Sequence, residues 1–424
     1  MLNSTVSGTQ TDAHPLQPAR RRFLGAAAGL AGTLLASRAR AGDSSGGLIA
    51  TIDRQVIDAP PVAGGKWFHP RACMVGTTAF MTVQPVTGTD FFGPVHWTTS
   101  DDRGATWSEF RPVPPLGRVP ADGGWEEGVC DVTPEFHPRT GSVLALGHNV
   151  FYRGAKFETA QPPRWPVYAV WRDGAWGPRR KLAWDDPRGS SIYTNGCGQR
   201  VTLDDGDVML NFTFGVQGEP RSVCGVRCSF DGAELVVRET GPALSHAAGR
   251  GLLEPSLTRF ADRFYLTLRA EDERGYVAVS DDGLHYEPKR PWTWDDGEPL
   301  TTSTTQQHWV THADGLFLVY VRKDPSNVGV IRWRAPLWIA QVDVPTLRLI
   351  RATERVVLPL DGDGVNAGAR VPLMGNFGVC RASATEAWVT DGSWTPRNPG
   401  AGDLQLARIS WSRPDVAPGA RPTP

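Results

Sequence analysis

Glu254 and Arg269 stand at the two ends of one candidate hairpin. Two apolar-rich runs, 255–260 and 264–269, flank a polar Ala261-Asp262-Arg263 turn, which is a hairpin signal. Such a turn returns the chain, so a carboxylate before the first run and a guanidinium closing the second can face one pocket. A plain surface pair would read the same way on a hairpin that stood alone. A second set is formed by Gly147-His148-Asn149 with Tyr152 and Arg153, by Tyr193, and by Gln307-His308. Histidine and tyrosine beside an arginine that neutralises a carboxylate suit β-elimination. One takes the proton next to the carboxylate and the other protonates the leaving oxygen. For His148 and Tyr152 the plain alternative is a packed polar rim. Asp90 and Glu254 offer different chemistry, an acid and a base across a sugar ring. With no attacking side chain, water would be activated directly and the product inverted.

The elements that must position these groups are strands. The 424 residues are 40% hydrophobic, with 47 glycines, 35 prolines and 16 tryptophans, a mix that favours a turn-rich all-β chain. There is no convincing amphipathic helix after residue 41; apolar residues alternate or come in runs of four to eight. A two-part phrase recurs. The openings are Phe68-His69-Pro70-Arg71, Glu127-Gly128-Val129-Cys130-Asp131, Asn195-Gly196-Cys197, Glu254-Pro255-Ser256, Gln306-Gln307-His308 and Asn376-Phe377-Gly378. Strands then run into acidic turns carrying Asp102, Asp173, Asp231, Asp282 and Asp343, spaced about sixty residues apart. A four-stranded unit at that period predicts a β-propeller, and six openings predict six blades over roughly residues 48–413. A strand near 48–56 would complete the last blade and remove the open edges. Two β-sandwiches or a β-helix explain the repeat less well. The openings would bring Asp131, Tyr193, Asn195, Gln307 and Phe377 to the same face as substrate-lining residues.

The first 41 residues read as an address. Arg20-Arg21-Arg22-Phe23-Leu24 precedes an eleven-residue weakly apolar run, and Ala39-Arg40-Ala41 follows. Twin arginines, a short apolar region and a small-residue cleavage site suit twin-arginine export to the periplasm or beyond. The run is too short to span a bilayer. Residues 42–424 would form one domain, with a short disordered tail from about 414. Without the first 41 residues the chain has 39 basic and 44 acidic residues, a net charge of −5, which gives no general case for nucleic acid. A monomer is expected. Six cysteines remain; export permits disulfides, while folding before export favours buried free thiols. Cys224 and Cys228 lack a matching histidine pair, so zinc is not expected.

Ser100-x-Asp102-x-Gly104-x-Thr106-Trp107 is a full Asp-box, and Ser280-x-Asp282-Gly283-x-x-Tyr286 and Ser229-Phe230-Asp231-Gly232 look like degenerate copies. The chain therefore resembles the sialidase-like (Asp-box, or BNR repeat) propellers. The resemblance covers most of the chain after the address. It implies a substrate carboxylate held by three arginines, an aspartate as acid/base, and a tyrosine nucleophile activated by a glutamate. His69-Pro70-Arg71 looks like the opening arginine, and Asp90, ten residues before the Asp-box, matches the acid/base aspartate. Glu254 and Arg269 resemble the glutamate and second arginine. Arg334 looks like the third arginine, with Arg332 as a rival. The sequence departs from the pattern in one respect: no tyrosine follows Tyr320, and Asn376-Phe377-Gly378 stands where the nucleophile is expected. The resemblance thus implies an anionic, sialic or uronic acid-containing glycan as partner. Glycoside hydrolysis with Glu254 and Asp90 as base and acid and His308 lining the wall, β-elimination using histidine and tyrosine, and a non-catalytic glycan-binding propeller stay open. No cofactor is required; structural calcium in the axial channel is conceivable.

Overall fold

Alternation and short apolar runs become strands because a pleated strand buries every second side chain. In Ser142–Arg153 both faces are covered and nearly every residue is buried, and in Thr78–Gly88 an unbroken run from Ala79 to Gln84 is. The computed structural model describes residues 47–154, 156–398 and 401–416; the export address lies outside them. The strands form six antiparallel sheets in a β-propeller arrangement. The strands that open the six phrases are Lys66–Val75, Trp125–His137, Ile192–Thr194, Leu253–Phe260, His308–His312 and Gly378–Ser383. Lys66–Val75 packs between Trp125–His137 and Gly378–Ser383, and His308–His312 packs between Gly378–Ser383 and Leu253–Phe260. Gln199 joins the third, fourth and fifth sheets. Its backbone N–H donates to Ser256 Oγ (3.2 Å), its Nε2 to the Trp309 carbonyl (3.0 Å), and its Oε1 accepts from the Trp309 N–H (2.6 Å).

The last sheet is completed from the other end of the chain. Ile49–Ile57 pairs antiparallel with Leu404–Trp411, Ile52 opposite Ile409. Leu48 and Ile49 then join Phe317, Ile409 and Trp411 in one buried cluster. The Arg54 Nε and the Arg355 Nη1 donate across the same junction, to the Val357 (2.8 Å) and Ile49 (2.7 Å) carbonyls. The chain near 414, expected to begin a disordered tail, is still held at residue 415. Asp415 accepts from the Ala313 N–H at 2.7 Å and pairs with Arg381 at 2.6 Å.

The acidic turns act as staples. Asp102 accepts from the Thr106 N–H (2.9 Å) and hydroxyl (2.6 Å) and from Ser100 Oγ (2.8 Å), and Ser100 Oγ accepts from the Gly104 N–H (2.7 Å). Those bonds, Thr106's first, pull the Asp102 carboxyl down to about 2. Gly104 sits at φ 76°, where a side chain would be strained. Ser280 and Asp282 repeat the pattern, but Ser229 does not: its hydroxyl turns to Arg238, leaving Asp231 to bind the Ala233 and Glu234 amides alone. All six cysteines are free thiols, five of them buried.

Ring closure generates a direct expectation. A chain starting at residue 58 leaves Leu404–Trp411 as an unpaired edge and opens the cluster around Trp411. Calorimetry should show a large fall in melting temperature, with concentration-dependent association; an unchanged melting temperature would contradict the closure.

Candidate functional site

Three of the opening strands carry the same irregularity at the same level. The pairing slips between Phe68 and Arg71, between Cys130 and Thr133, and between Leu253 and Ser256. At each slip one non-glycine residue adopts a positive φ: His69 (53°), Asp131 (56°) and Glu254 (42°). A bulge re-aims a side chain that the pleat would otherwise bury between sheets. Left-handed backbone at a non-glycine costs of order 1–3 kcal/mol, so three repeats on one face mark a place where side-chain direction matters. The third and sixth openings use glycines at positive φ instead, Gly196 (62°) and Gly375 (95°).

These residues surround a cavity of about 280 Å³ to which all six openings contribute, through His69, Asp131, Gly196, Glu254, Gln306 and Asn376. Six arginines line it (Arg164, Arg221, Arg250, Arg269, Arg332 and Arg334) against three carboxylates, Asp90, Asp131 and Glu254. Three of the arginines are anchored by their own main chains at seams between sheets. Arg164 donates its N–H to the Ser191 carbonyl (3.0 Å) and accepts from the Tyr193 N–H (3.0 Å), tying the second sheet to the third. Arg221 donates to the Arg250 carbonyl and accepts from the Leu252 N–H, both at 2.9 Å, tying the third to the fourth. Arg334 accepts from the Met374 N–H at 2.6 Å, tying the fifth to the sixth. These seam bonds fix where the main chain of each of the three arginines enters the cavity wall.

Glu254 and Arg269 meet in the cavity wall at 2.6 Å, and Arg269 Nε also donates to Thr304 Oγ1 at 2.7 Å. Asp90, at φ 53° on an exposed turn at the rim, is pushed above the ordinary carboxylate range by partial burial and by Asp131. Arg332 is lowered to about 9 by burial and by Arg269 and Arg334; Arg221 is lowered to about 10 by burial and by Arg164, Arg250 and Arg269. His148 reaches the cavity but is held neutral, pushed down to about 3 by burial and then by Arg164. His69 is lowered for the same reasons, burial and then Arg71.

Several expected site residues lie elsewhere. Arg71 is 1% exposed and does not line the cavity; its Nη2 donates to Asp131 Oδ1 (3.1 Å) and Gln306 Oε1 (3.2 Å), so it supports two lining residues from behind. His308 is buried beside it, bonded through Nδ1 to Ser256 Oγ (2.9 Å) and lowered to about 3 by burial. Phe377 is fully buried against the His308 ring. Gln307 is buried, its Oε1 accepting from Thr267 Oγ1 at 2.6 Å. Tyr152 is fully buried, its hydroxyl accepts from the Phe92 N–H at 3.2 Å, and it does not line the cavity, so it is not placed to protonate a ligand there. Tyr193 packs in the core of the third sheet with its hydroxyl on the Leu182 carbonyl (3.0 Å). Asn195 is buried, and its neighbour Gly196 lines the cavity in its place. None of the chain's seven tyrosines lines the cavity. Sequence reasoning missed His69 as a lining group, and Gln306, Arg164, Arg221 and Arg250. The two flanking glycines of Gly249-Arg250-Gly251 were the signal for the last.

Cys130, Asp131 and His148 bring ligand-type atoms within 4.8 Å of one another. The surroundings do not suit a cation: Arg71 already donates to Asp131, and burial pushes the Cys130 thiol well up, keeping it protonated. The group fits a supporting network around an anion site better than a metal centre.

No family model matches the chain, and no curated protein matches it in sequence. Solved structures do resemble it. Trypanosoma rangeli sialidase superposes with a TM-score of 0.58 at 15% identity, covering 81% of this chain and 55% of that one. The Hadza microbial sialidase Hz136 gives 0.58 at 12% identity, covering 81% and 65%. A Dyadobacter fermentans protein of unknown function gives 0.58 at 12% identity over 86% of this chain and all of that one. The matched part thus spans just over half of the trypanosomal enzyme, and at these identities the likeness is one of fold.

The buried groups behind the cavity set a pH dependence. Asp391 accepts from the Gly375 N–H at 2.7 Å beside Arg334, and burial raises it to about 6; Lys66, close to Asp391, is lowered to about 7 by burial. As pH falls from 7 to 5, Asp391 loses its charge and Lys66 gains one, while the carboxylate of an added probe stays ionised. Affinity of the cavity for a carboxylate probe should rise roughly tenfold over that range, and Asp391→Asn should flatten the part below pH 6.5; calorimetric titration measures both.

Proposed function

We propose that this chain is an exported carbohydrate-active enzyme that binds an anionic sugar in the arginine-lined cavity and hydrolyses its glycosidic bond. The six sheets are read as the six blades of one closed, monomeric ring, and residues 1–41 as a twin-arginine signal cleaved after Ala41. The observation that carries the reading is the excess of guanidinium groups in a cavity to which every opening strand contributes. Guanidinium forks bind carboxylates bidentately, and Arg334 and Arg269 with Arg332 hold the sugar's carboxylate. Asp90, with its raised carboxyl, donates its proton to the glycosidic oxygen as the bond to the anomeric carbon breaks. Water adds to that carbon and passes its proton to Glu254, so the product is inverted. With Tyr152 sealed in the core, β-elimination lacks its tyrosine donor. A non-catalytic glycan binder is the second reading, favoured by the lack of any tyrosine on the cavity wall.

The mature protein should be screened against sialosides and uronate-capped oligosaccharides, following reducing ends and the absorbance of an unsaturated uronate. New reducing ends without that absorbance support hydrolysis. Absorbance supports elimination, and binding without product supports the second reading. On a cleaved substrate, Asp90→Asn should lower kcat by roughly 10²- to 10⁴-fold with little change in affinity. Arg334→Ala should weaken binding about ten- to a hundredfold. Equal loss of binding in both variants would remove Asp90 from its role.

A further inference from the structure

One sugar carboxylate does not account for the charge in the cavity. Arg71 is taken by Asp131 (3.1 Å), Arg269 by Glu254 (2.6 Å) and Arg250 by Glu271 (2.5 Å), while Arg334 faces Asp391. Arg164, Arg221 and Arg332 have no ion pair among the described residues, and Asp90 is the one lining carboxylate left to oppose them. The balance is two positive charges, and three whenever Asp90 carries its proton. Like charges so close in a partly desolvated site are costly, and folding alone gives no reason to gather them.

The lining arginines are also divided, with at least one unpaired member on each side. Arg332 and Arg334 enter from the fifth sheet and its seam with the sixth, whereas Arg164, Arg221 and Arg250 come from the seams that join the second, third and fourth sheets. The Glu254–Arg269 pair stands between the two groups in chain order. The second group is built with care. Arg164 Nε is fixed on the Asn149 carbonyl at 3.1 Å, and Asn149 Oδ1 in turn accepts from the Trp165 N–H at 2.8 Å. Gly251, at φ 78°, lets the 249–251 backbone lie against Arg221: a Cβ there would sit 2.2 Å from the Arg221 carbonyl oxygen.

We propose that Arg164 and Arg221, with Arg250 held beside them by Glu271, form a second anion subsite, which takes the carboxylate or sulfate of the sugar adjoining the one held by Arg334. The substrate class is then an acidic glycan with negative groups on neighbouring residues, not one with a single charged terminus. The inference rests on the anionic-sugar reading above.

The test is titration calorimetry of the mature protein with a uronate monosaccharide, an unsulfated disaccharide carrying one uronate, a diuronate disaccharide, and the one-uronate disaccharide sulfated on its neighbouring sugar. The doubly charged disaccharides should bind at least tenfold more tightly than the singly charged one, and raised salt should shrink the difference. Which of the two gains more identifies carboxylate or sulfate as the partner. Arg221→Gln and Arg164→Gln should each bring the doubly charged ligands down towards the singly charged one and leave the monosaccharide's affinity unchanged. Two variants on different seams guard against one failing to fold, and melting curves check both. Equal affinity for singly and doubly charged disaccharides overturns the second subsite and leaves the first standing. So does parallel weakening of every ligand in the variants. No binding by any of the four sinks the anionic-sugar reading and this inference together.

Discussion

Guanidinium groups held close together repel, and the architecture of this chain is arranged to hold them together nonetheless. At a few ångströms, and with water partly excluded, two like charges oppose each other by several kcal/mol. The effect is visible in Arg221 and Arg332, lowered to about 10 and about 9 by burial and by other arginines. Side chains alone would swing apart to relieve it. Here main-chain hydrogen bonds between sheets fix where Arg164, Arg221 and Arg334 stand, and Nε bonds to the Asn149 and Met374 carbonyls hold the side chains of Arg164 and Arg334.

The same logic extends below the cavity. Arg71 bridges Asp131 and Gln306 across the first, second and fifth openings, and Ser256, His308 and Gln199 continue the polar network between the fourth, fifth and third. These buried groups fix the bulged residues from behind, so Asp131 and Glu254 keep their unusual backbone and point into the cavity. Support and site are thus one network. A change in Arg71 would act through Asp131, not through a lost ligand contact.

The parts of this arrangement that are local were legible in the sequence. The turn at Ala261 and Asp262 is enough to bring Glu254 and Arg269 to one end of a hairpin, and the Asp-box spells out its own hydrogen bonds. What failed was the level and face of side chains along the opening strands. Gln306 lines the cavity, whereas Gln307 and His308 bond to Thr267 and Ser256 away from it, and at the first, second and fourth openings a bulge reverses which side chains face inward. Tyr152 and Tyr193 were misplaced for a related reason: polar tips on strands satisfied within the core look the same in sequence as tips facing a ligand. Arg164 and Arg221 were not legible because their places are set by seams between sheets, whereas the glycines flanking Arg250 were a local signal.

The central claim is that the cavity recognises negative charge on a sugar. It is tested most directly by titrating the mature protein and its Arg334→Ala variant with a uronate monosaccharide and with the neutral sugar of the same shape. The uronate should bind and the neutral sugar far more weakly, with salt weakening the uronate and Arg334→Ala costing about ten- to a hundredfold. Equal affinity for the two sugars, untouched by salt or by the loss of Arg334, would contradict it.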